Sequence, residues 1–119
     1  MSKILIIDGD DSIRESLGMS LTEKGYNVEV ADSGRVGISK FIASRADVVI
    51  LDIRLPDMNG FAVYDELIKH DDHARVIMIT AFHDKDIIDK AIKKGVFKYI
   101  KKPIDMNRLD SAIVKAMKH

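Results

Sequence analysis

Four short apolar runs in this chain each stop at a chemically pointed residue, and segments of helical period separate them. Ile4-Leu5-Ile6-Ile7 stops at Asp8, and Val48-Val49-Ile50-Leu51 stops at Asp52. Val76-Ile77-Met78-Ile79 stops at Thr80, and Phe97-Lys98-Tyr99-Ile100 runs into Lys101-Lys102-Pro103. Runs that are apolar without alternation suit strands covered on both faces, as in parallel sheets. Parallel strands of one sheet place their carboxyl ends side by side, and open α/β sheets bind ligands in the crevice at that edge. The pattern therefore brings two carboxylates, a hydroxyl and an ammonium to one edge.

The intervening segments read as helices. Ile13, Leu17 and Leu21 recur every four residues after Asp11, and Ser12 with Glu15 has the spacing of a capping box. Gly25 is placed to end this helix. Val28 and Val30 alternate with polar residues and predict a further strand near 27–31. Ser33-Gly34 opens a helix carrying Val36, Phe41 and Ile42, up to about Ser44. Pro56, Asp57, Asn59 and Gly60 are turn residues, and Phe61, Tyr64, Leu67 and Ile68 mark the next helix. Asp84 can cap a helix with Ile87, Ile88, Ala91 and Ile92 inward, ended by Gly95. Asp105 can cap a last one carrying Leu109, Ile113, Ala116 and Met117. Five strands alternating with five helices predict a doubly wound α/β sandwich with right-handed crossovers.

The 119 residues fit a single domain, 1–119, with a core of its own. Hydrophobic residues at 46% and charged residues at 32% describe a soluble globular chain. Lys plus Arg and Asp plus Glu both number 19, so no net charge draws the chain to nucleic acid or to an anionic membrane. The absence of cysteine excludes disulfides and thiolate metal sites and is compatible with a reducing cytoplasm. The expectation is a cytoplasmic protein without signal peptide, membrane span or visible output domain.

The strand-end residues suit a magnesium and phosphoryl site with an aspartate as acceptor. A carboxylate attacks phosphorus when the incoming charge is neutralised. Mg²⁺ favours carboxylates, carbonyls and waters, and a lysine offers phosphate a compact positive charge. Here the chain resembles the receiver domain of two-component response regulators from end to end. The resemblance rests on Ile6-Ile7-Asp8, on Leu51-Asp52-Ile53-Arg54-Leu55-Pro56-Asp57-Met58-Asn59-Gly60, on Ile79-Thr80-Ala81 and on Lys102-Pro103. It implies a flavodoxin-like five-stranded order of 2-1-3-4-5. It implies that Asp52 accepts a phosphoryl group from a sensor histidine kinase's phosphohistidine. Asp8 would hold Mg²⁺ through water, the Arg54 backbone carbonyl would ligate it directly, and Asp52 would share it. Thr80 and Lys102 would bind the phosphoryl oxygens, and Tyr99 would be the switch aromatic. The partners implied are that kinase and a downstream output domain or target, with homodimerisation on phosphorylation open.

One position departs from the family. Two adjacent acidic residues are usual after the first strand, and here the pair reads Asp8-Gly9. Gly9 falls where the direct carboxylate ligand of Mg²⁺ is expected, and Asp10, next in line, reaches a metal only through a water or a distorted loop. Weakened but not abolished metal binding is the expectation. Other polar residues read as structural: Asp57, Asn59 and Gly60 as turn formers, Met58 and Met78 as packing, and His70 and His73 as a solvated connection around Asp71-Asp72. His83 carries no assigned chemistry.

Two other functions compete with phosphoacceptor signalling, in which catalysis is limited to the domain's own phosphoryl transfer and autodephosphorylation. One is a degenerate receiver that binds partners without phosphorylation, supported by Gly9 alone. The other is a small phosphatase of haloacid-dehalogenase type. Ile6-Ile7-Asp8-Gly9-Asp10 resembles the first motif of those enzymes, but that reading leaves Asp52 and its loop unexplained.

Overall fold

Parallel pairing gathers the apolar runs into one sheet. The computed structural model describes residues 2–82 and 84–118, and His83 lies outside them. Along these residues run β1 (Lys3–Ile7), α1 (Asp11–Glu23), β2 (Asn27–Ala31), α2 (Gly34–Ser44) and β3 (Val48–Asp52). They continue with α3 (Gly60–His70), β4 (Arg75–Thr80), α4 (Lys85–Lys94), β5 (Lys98–Lys101) and α5 (Met106–Met117). The strand order is β2-β1-β3-β4-β5 with every pairing parallel, as expected.

Side chains of the central strands alternate between two cores, which is why the runs need no polar member. Leu5, Ile7, Val49, Leu51, Val76 and Met78 pack with Phe41, Phe61, Val63, Leu67 and Ala91 of α2, α3 and α4. Ile4, Ile6, Val48, Ile50, Ile77 and Ile79 pack with Leu17 and Leu21 of α1 and with Leu109, Ala112 and Ile113 of α5. Burying each such Ile or Leu contributes roughly 1.5–3 kcal/mol before conformational entropy is charged against it. The register aligns Ile7 with Leu51, Asp52 with Ile79 and Thr80 with Lys101. It therefore sets Asp8, Asp52, Thr80 and Lys102 at one edge.

Local chemistry differs from expectation in three helices. Asp10, not a Ser12–Glu15 box, caps α1: its Oδ1 accepts the N–H groups of Ser12 at 2.8 Å and Ile13 at 3.2 Å. Because the helix starts at Asp11, Ser12 already lies within its first turn. In α2 the buried stripe is Gly34, Gly37 and Phe41, while Val36 and Ile42 lie on the exposed side. Position 37 must be glycine-sized because a Cβ there would meet Ile7. Ile92 is not inward but 67% exposed, since Ala91 is the buried residue of α4 and the next position points about 100° away. The caps Ser33, Asp84 and Asp105 are as predicted. Gly25 and Gly95 follow their helices with φ of 96° and 87°, the left-handed region.

Candidate functional site

Each strand end delivers its residue by the backbone first. The Asp8 N–H continues the pairing of β1 by donating to the Ala31 carbonyl at 3.1 Å. The Ile53 N–H, just past Asp52, donates to the Ile79 carbonyl at 3.3 Å, and the Lys102 N–H donates to the Thr80 carbonyl at 2.7 Å. The Lys102–Pro103 peptide bond is cis.

The side chains then converge. Asp8 is fully buried, Asp52 is 7% exposed and Thr80 is fully buried. The Lys102 ammonium donates to Asp8 Oδ2 at 2.9 Å and to Asp52 Oδ2 at 3.2 Å, bridging the two carboxylates. Asp8 Oδ1 accepts the Asp10 N–H at 2.8 Å, and the Asp8 carbonyl accepts from the Arg14 guanidinium at 2.7 Å. Asp52 Oδ1 faces the Arg54 N–H at 3.4 Å. Burial raises the Asp52 carboxyl above its ordinary 3.8, the Asp8 charge adds to this, and Lys102 opposes both. Burial works to lower Lys102, but its hydrogen bond to Asp8 and the charges of both carboxylates outweigh that and raise it. The pair is thus held by one internal cation.

The loop between β3 and α3 frames this edge. Arg54 pairs with Asn59 in an isolated antiparallel bridge, Gly60 N–H donates to the Ile53 carbonyl at 2.6 Å, and Asn59 Oδ1 caps α3 through the Phe61 N–H at 2.8 Å. A Cβ on Gly60 would collide with the Asp52 carbonyl oxygen and the Ile53 Cα, so only glycine allows the loop to pass this close. Asp57, read as a turn residue, instead reaches α2. Its two oxygens accept the Gly34 N–H at 2.8 Å and the Arg35 N–H at 2.9 Å, and those two hydrogen bonds lower its pKa.

Thr80 and Tyr99, the two residues expected to act as a switch, meet at Phe82. Thr80 Oγ1 accepts the Phe82 N–H at 2.9 Å, and the Tyr99 hydroxyl donates to the Phe82 carbonyl at 3.2 Å. Burial, with the Asp84 charge second, raises the Tyr99 hydroxyl. The Arg54 guanidinium lies 3.7 Å from the centre of the Phe82 ring. Sequence reasoning found neither this stack nor the Asp57 cap. No periodicity marks either one, because each joins residues from different loops.

Asp8, Asp52, Thr80 and Lys102 are therefore brought together, with the Arg54 backbone in the adjoining loop. Asp10 is committed through Oδ1 to its helix. Gly9 is exposed, and a Cβ there would lie 3.1 Å from Pro56 Cδ. Among the described residues no three His, Cys, Asp or Glu side chains gather closely enough to hold a metal ion. His70 and His73 precede β4, at the opposite end of that strand from this edge, and the His73 imidazole lies 3.5 Å from its neighbour Asp72.

Comparison with known proteins adds the family. The model of the response regulator receiver domain matches residues 4–114. The chain is 31% identical over 117 residues to regulatory protein AtoC of Escherichia coli, covering 98% of this chain and 25% of AtoC. It is 32% identical over 117 residues to chemotaxis protein CheY of Thermotoga maritima, covering 98% of each. The chain thus spans a quarter to half of several curated relatives it matches. Response regulator protein TrrA of Thermotoga maritima, solved with Mg²⁺ and BeF, superposes with a TM-score of 0.88 at 30% identity, covering 98% of this chain and 99% of TrrA.

Proposed function

Because the chain belongs to the response regulator receiver domain family, whose members act in phosphorylation-dependent two-component signalling, we propose that Asp52 is its phosphoacceptor. The observation that carries this is the Lys102 ammonium held between Asp8 and Asp52, with Thr80 buried at the next strand end. We read residues 1–119 as one receiver domain working in the cytoplasm. Its donor is a sensor histidine kinase, and its output is a changed protein surface read by an attached domain or a separate target.

In this reading a carboxylate oxygen of Asp52 attacks the phosphorus of a phosphohistidine. The new O–P bond forms as the N–P bond breaks, and the imidazole leaves with the electron pair. The product is an acyl phosphate on Asp52 and a free histidine on the donor. Lys102 binds a phosphoryl oxygen and offsets its charge. Thr80 turns its hydroxyl from Phe82 to donate to another oxygen. That movement reaches Tyr99 through the shared Phe82 backbone and carries the change to the surface.

The donor set fits Mg²⁺. One cation, the Lys102 ammonium, already sits between Asp8 and Asp52, so their oxygens converge on a single position. Asp8, Asp52 and the Arg54 carbonyl would hold the ion, which when bound neutralises charge on the phosphoryl oxygens.

Incubation with acetyl phosphate and Mg²⁺, read by intact mass, tests the proposal. One phosphoryl adduct is expected, absent in Asp52→Ala. A folded wild-type protein that takes up no phosphoryl group would overturn it and favour a phosphorylation-independent binding module. Label on Asp8 would favour the phosphatase reading.

A further inference from the structure

Asp8 is held at both of its ends from the start of one helix. Its N–H makes the last bond of β1 to β2, to the Ala31 carbonyl at 3.1 Å, and β2 stops at that residue. The strand ladder therefore offers the Asp8 carbonyl no further N–H. The Arg14 guanidinium takes that place at 2.7 Å, from six residues along the chain. The carboxylate end is held by the Asp10 N–H, which donates to Oδ1 at 2.8 Å.

These bonds close a ring. Asp10 caps α1 by accepting the Ser12 and Ile13 N–H groups, and its carbonyl accepts the Arg14 N–H at 3.1 Å. The helix thus fixes the Arg14 backbone before the side chain turns back to Asp8. Only 16% of that side chain is exposed, so its hydrogen bond to the Asp8 carbonyl is shielded from competing water. Its second partner, Asp11, is 91% exposed and lies on the solvent side. Gly9, between Asp8 and Asp10, contributes no side chain to the turn. Arg14 is the side chain that fixes the Asp8–Gly9 peptide.

The direction of the Asp8 carboxylate follows from that peptide. A tilt there swings the carboxylate away from the edge it shares with Asp52. A buried carbonyl left without a donor favours such a tilt, because the group must find water or another N–H. Misplacement of about 1 Å in a reacting constellation can cost roughly a hundredfold in rate.

Resting on the assignment of Asp52 as phosphoacceptor, we infer that Arg14 is a positioning residue for phosphoryl transfer: it clamps the Asp8 backbone carbonyl and so aims the Asp8 carboxylate into the site. It acts through Asp8 and not on the phosphoryl group, with the rigid first turn of α1 as its support.

Arg14→Ala, Arg14→Lys and Asp11→Ala test this beside wild type. Circular dichroism and thermal midpoints set a temperature at which all four are folded. Two readouts are compared there. One is the rate of phosphoryl uptake from acetyl phosphate with Mg²⁺, by intact mass. The other is hydrogen exchange of the Asp10 amide, by nuclear magnetic resonance. Arg14→Ala should slow uptake by about tenfold or more and speed Asp10 exchange by about tenfold, with the amides of β3 and β4 unchanged. Arg14→Lys restores a donor of similar reach and should recover most of both. Asp11→Ala leaves the carbonyl clamp in place and should stay within about twofold of wild type. Uptake at the wild-type rate in Arg14→Ala overturns the inference. Slowed uptake with wild-type exchange at Asp10 overturns it too, as the mark of a charge acting through space, and so does an Arg14→Lys no better than Arg14→Ala. Failure of the acceptor assignment shows separately, as a wild type without an Asp52-dependent adduct, and Asp10 exchange still reads the clamp.

Discussion

The Asp57 carboxylate accepts the Gly34 N–H at 2.8 Å across 23 residues of sequence, so the loop that leaves Asp52 also caps the first turn of α2. Met58 follows in the same loop, and a Cβ on Gly34 would strike its side chain. The two contacts fasten α2 to the loop beside Asp52. Movement of that loop would be felt at α2.

Asp57→Ala should therefore lower the thermal midpoint at neutral pH. The two backbone hydrogen bonds hold the Asp57 pKa below its ordinary 3.8. A depressed folded pKa means that its stabilisation is fully present above 3.8 and lost as pH falls through the lower value. The gap between wild type and Asp57→Ala should be widest near pH 7 and narrow below 3.8. A gap that stays constant down to pH 2 would remove the carboxylate charge from the explanation.

Gly60→Ala should destabilise the domain by about 1–3 kcal/mol, because its Cβ meets backbone that cannot yield, at the Asp52 carbonyl. Phosphoryl uptake should fall with it, since that backbone carries Asp52. Gly18→Ala is the contrasting case. Its Cβ would lie 4.0 Å from Val30 Cγ1, an ordinary contact, inside α1. Relief of the glycine penalty should then stabilise the fold by roughly 0.5–1 kcal/mol. Urea denaturation of both variants compares them directly.

The sheet was legible because its central strands are covered on both faces and so are apolar throughout, as in Val48–Leu51. The strand-end residues followed once the strands were placed, since register alone sets Asp8, Asp52, Thr80 and Lys102 at one edge. What periodicity could not carry was the choice between neighbours. Asp10 rather than Ser12 caps α1, and Ile92 faces out because Ala91 lies on the packed side. Contacts between segments were beyond it altogether. The Asp57 cap of α2 and the Arg54 stack on Phe82 depend on how loops meet, and no spacing records that.

Asp52→Asn should make the domain more stable at neutral pH. Burial first, then Asp8, raise the Asp52 carboxyl above 3.8, although Lys102 pulls the other way. A folded pKa above the unfolded value means that stability falls as pH rises from 3.8 through the raised value, where the charge must be carried in the folded state. Asparagine removes that cost, at the expense of one Lys102 partner. The variant's advantage should appear above the raised pKa and vanish below 3.8 in urea midpoints measured from pH 3 to 8. A less stable Asp52→Asn at pH 7 would show that Lys102 overcomes burial and Asp8 together. Such a trade of stability for chemistry is common at functional sites.

Helix α4 fully buries a single residue, Ala91, packs Ile87 partly buried against the same core, and is tied to α3 by polar contacts. The Tyr64 hydroxyl donates to the Lys94 carbonyl at 3.2 Å, the Lys94 ammonium pairs with Asp65 at 2.8 Å, and Lys90 lies 4.8 Å over the Phe61 ring. So small a buried face makes α4 a candidate for local opening at less than the global free energy. Tyr64→Phe removes one tie while keeping the ring in the core, at a cost of about 0.5–1.5 kcal/mol. If α4 opens on its own, hydrogen exchange in this variant should quicken by roughly three- to tenfold across residues 88–94. Exchange in β3 and β4 should change only where it proceeds by global unfolding. Uniform acceleration over the whole sheet would instead show that α4 and the core open together.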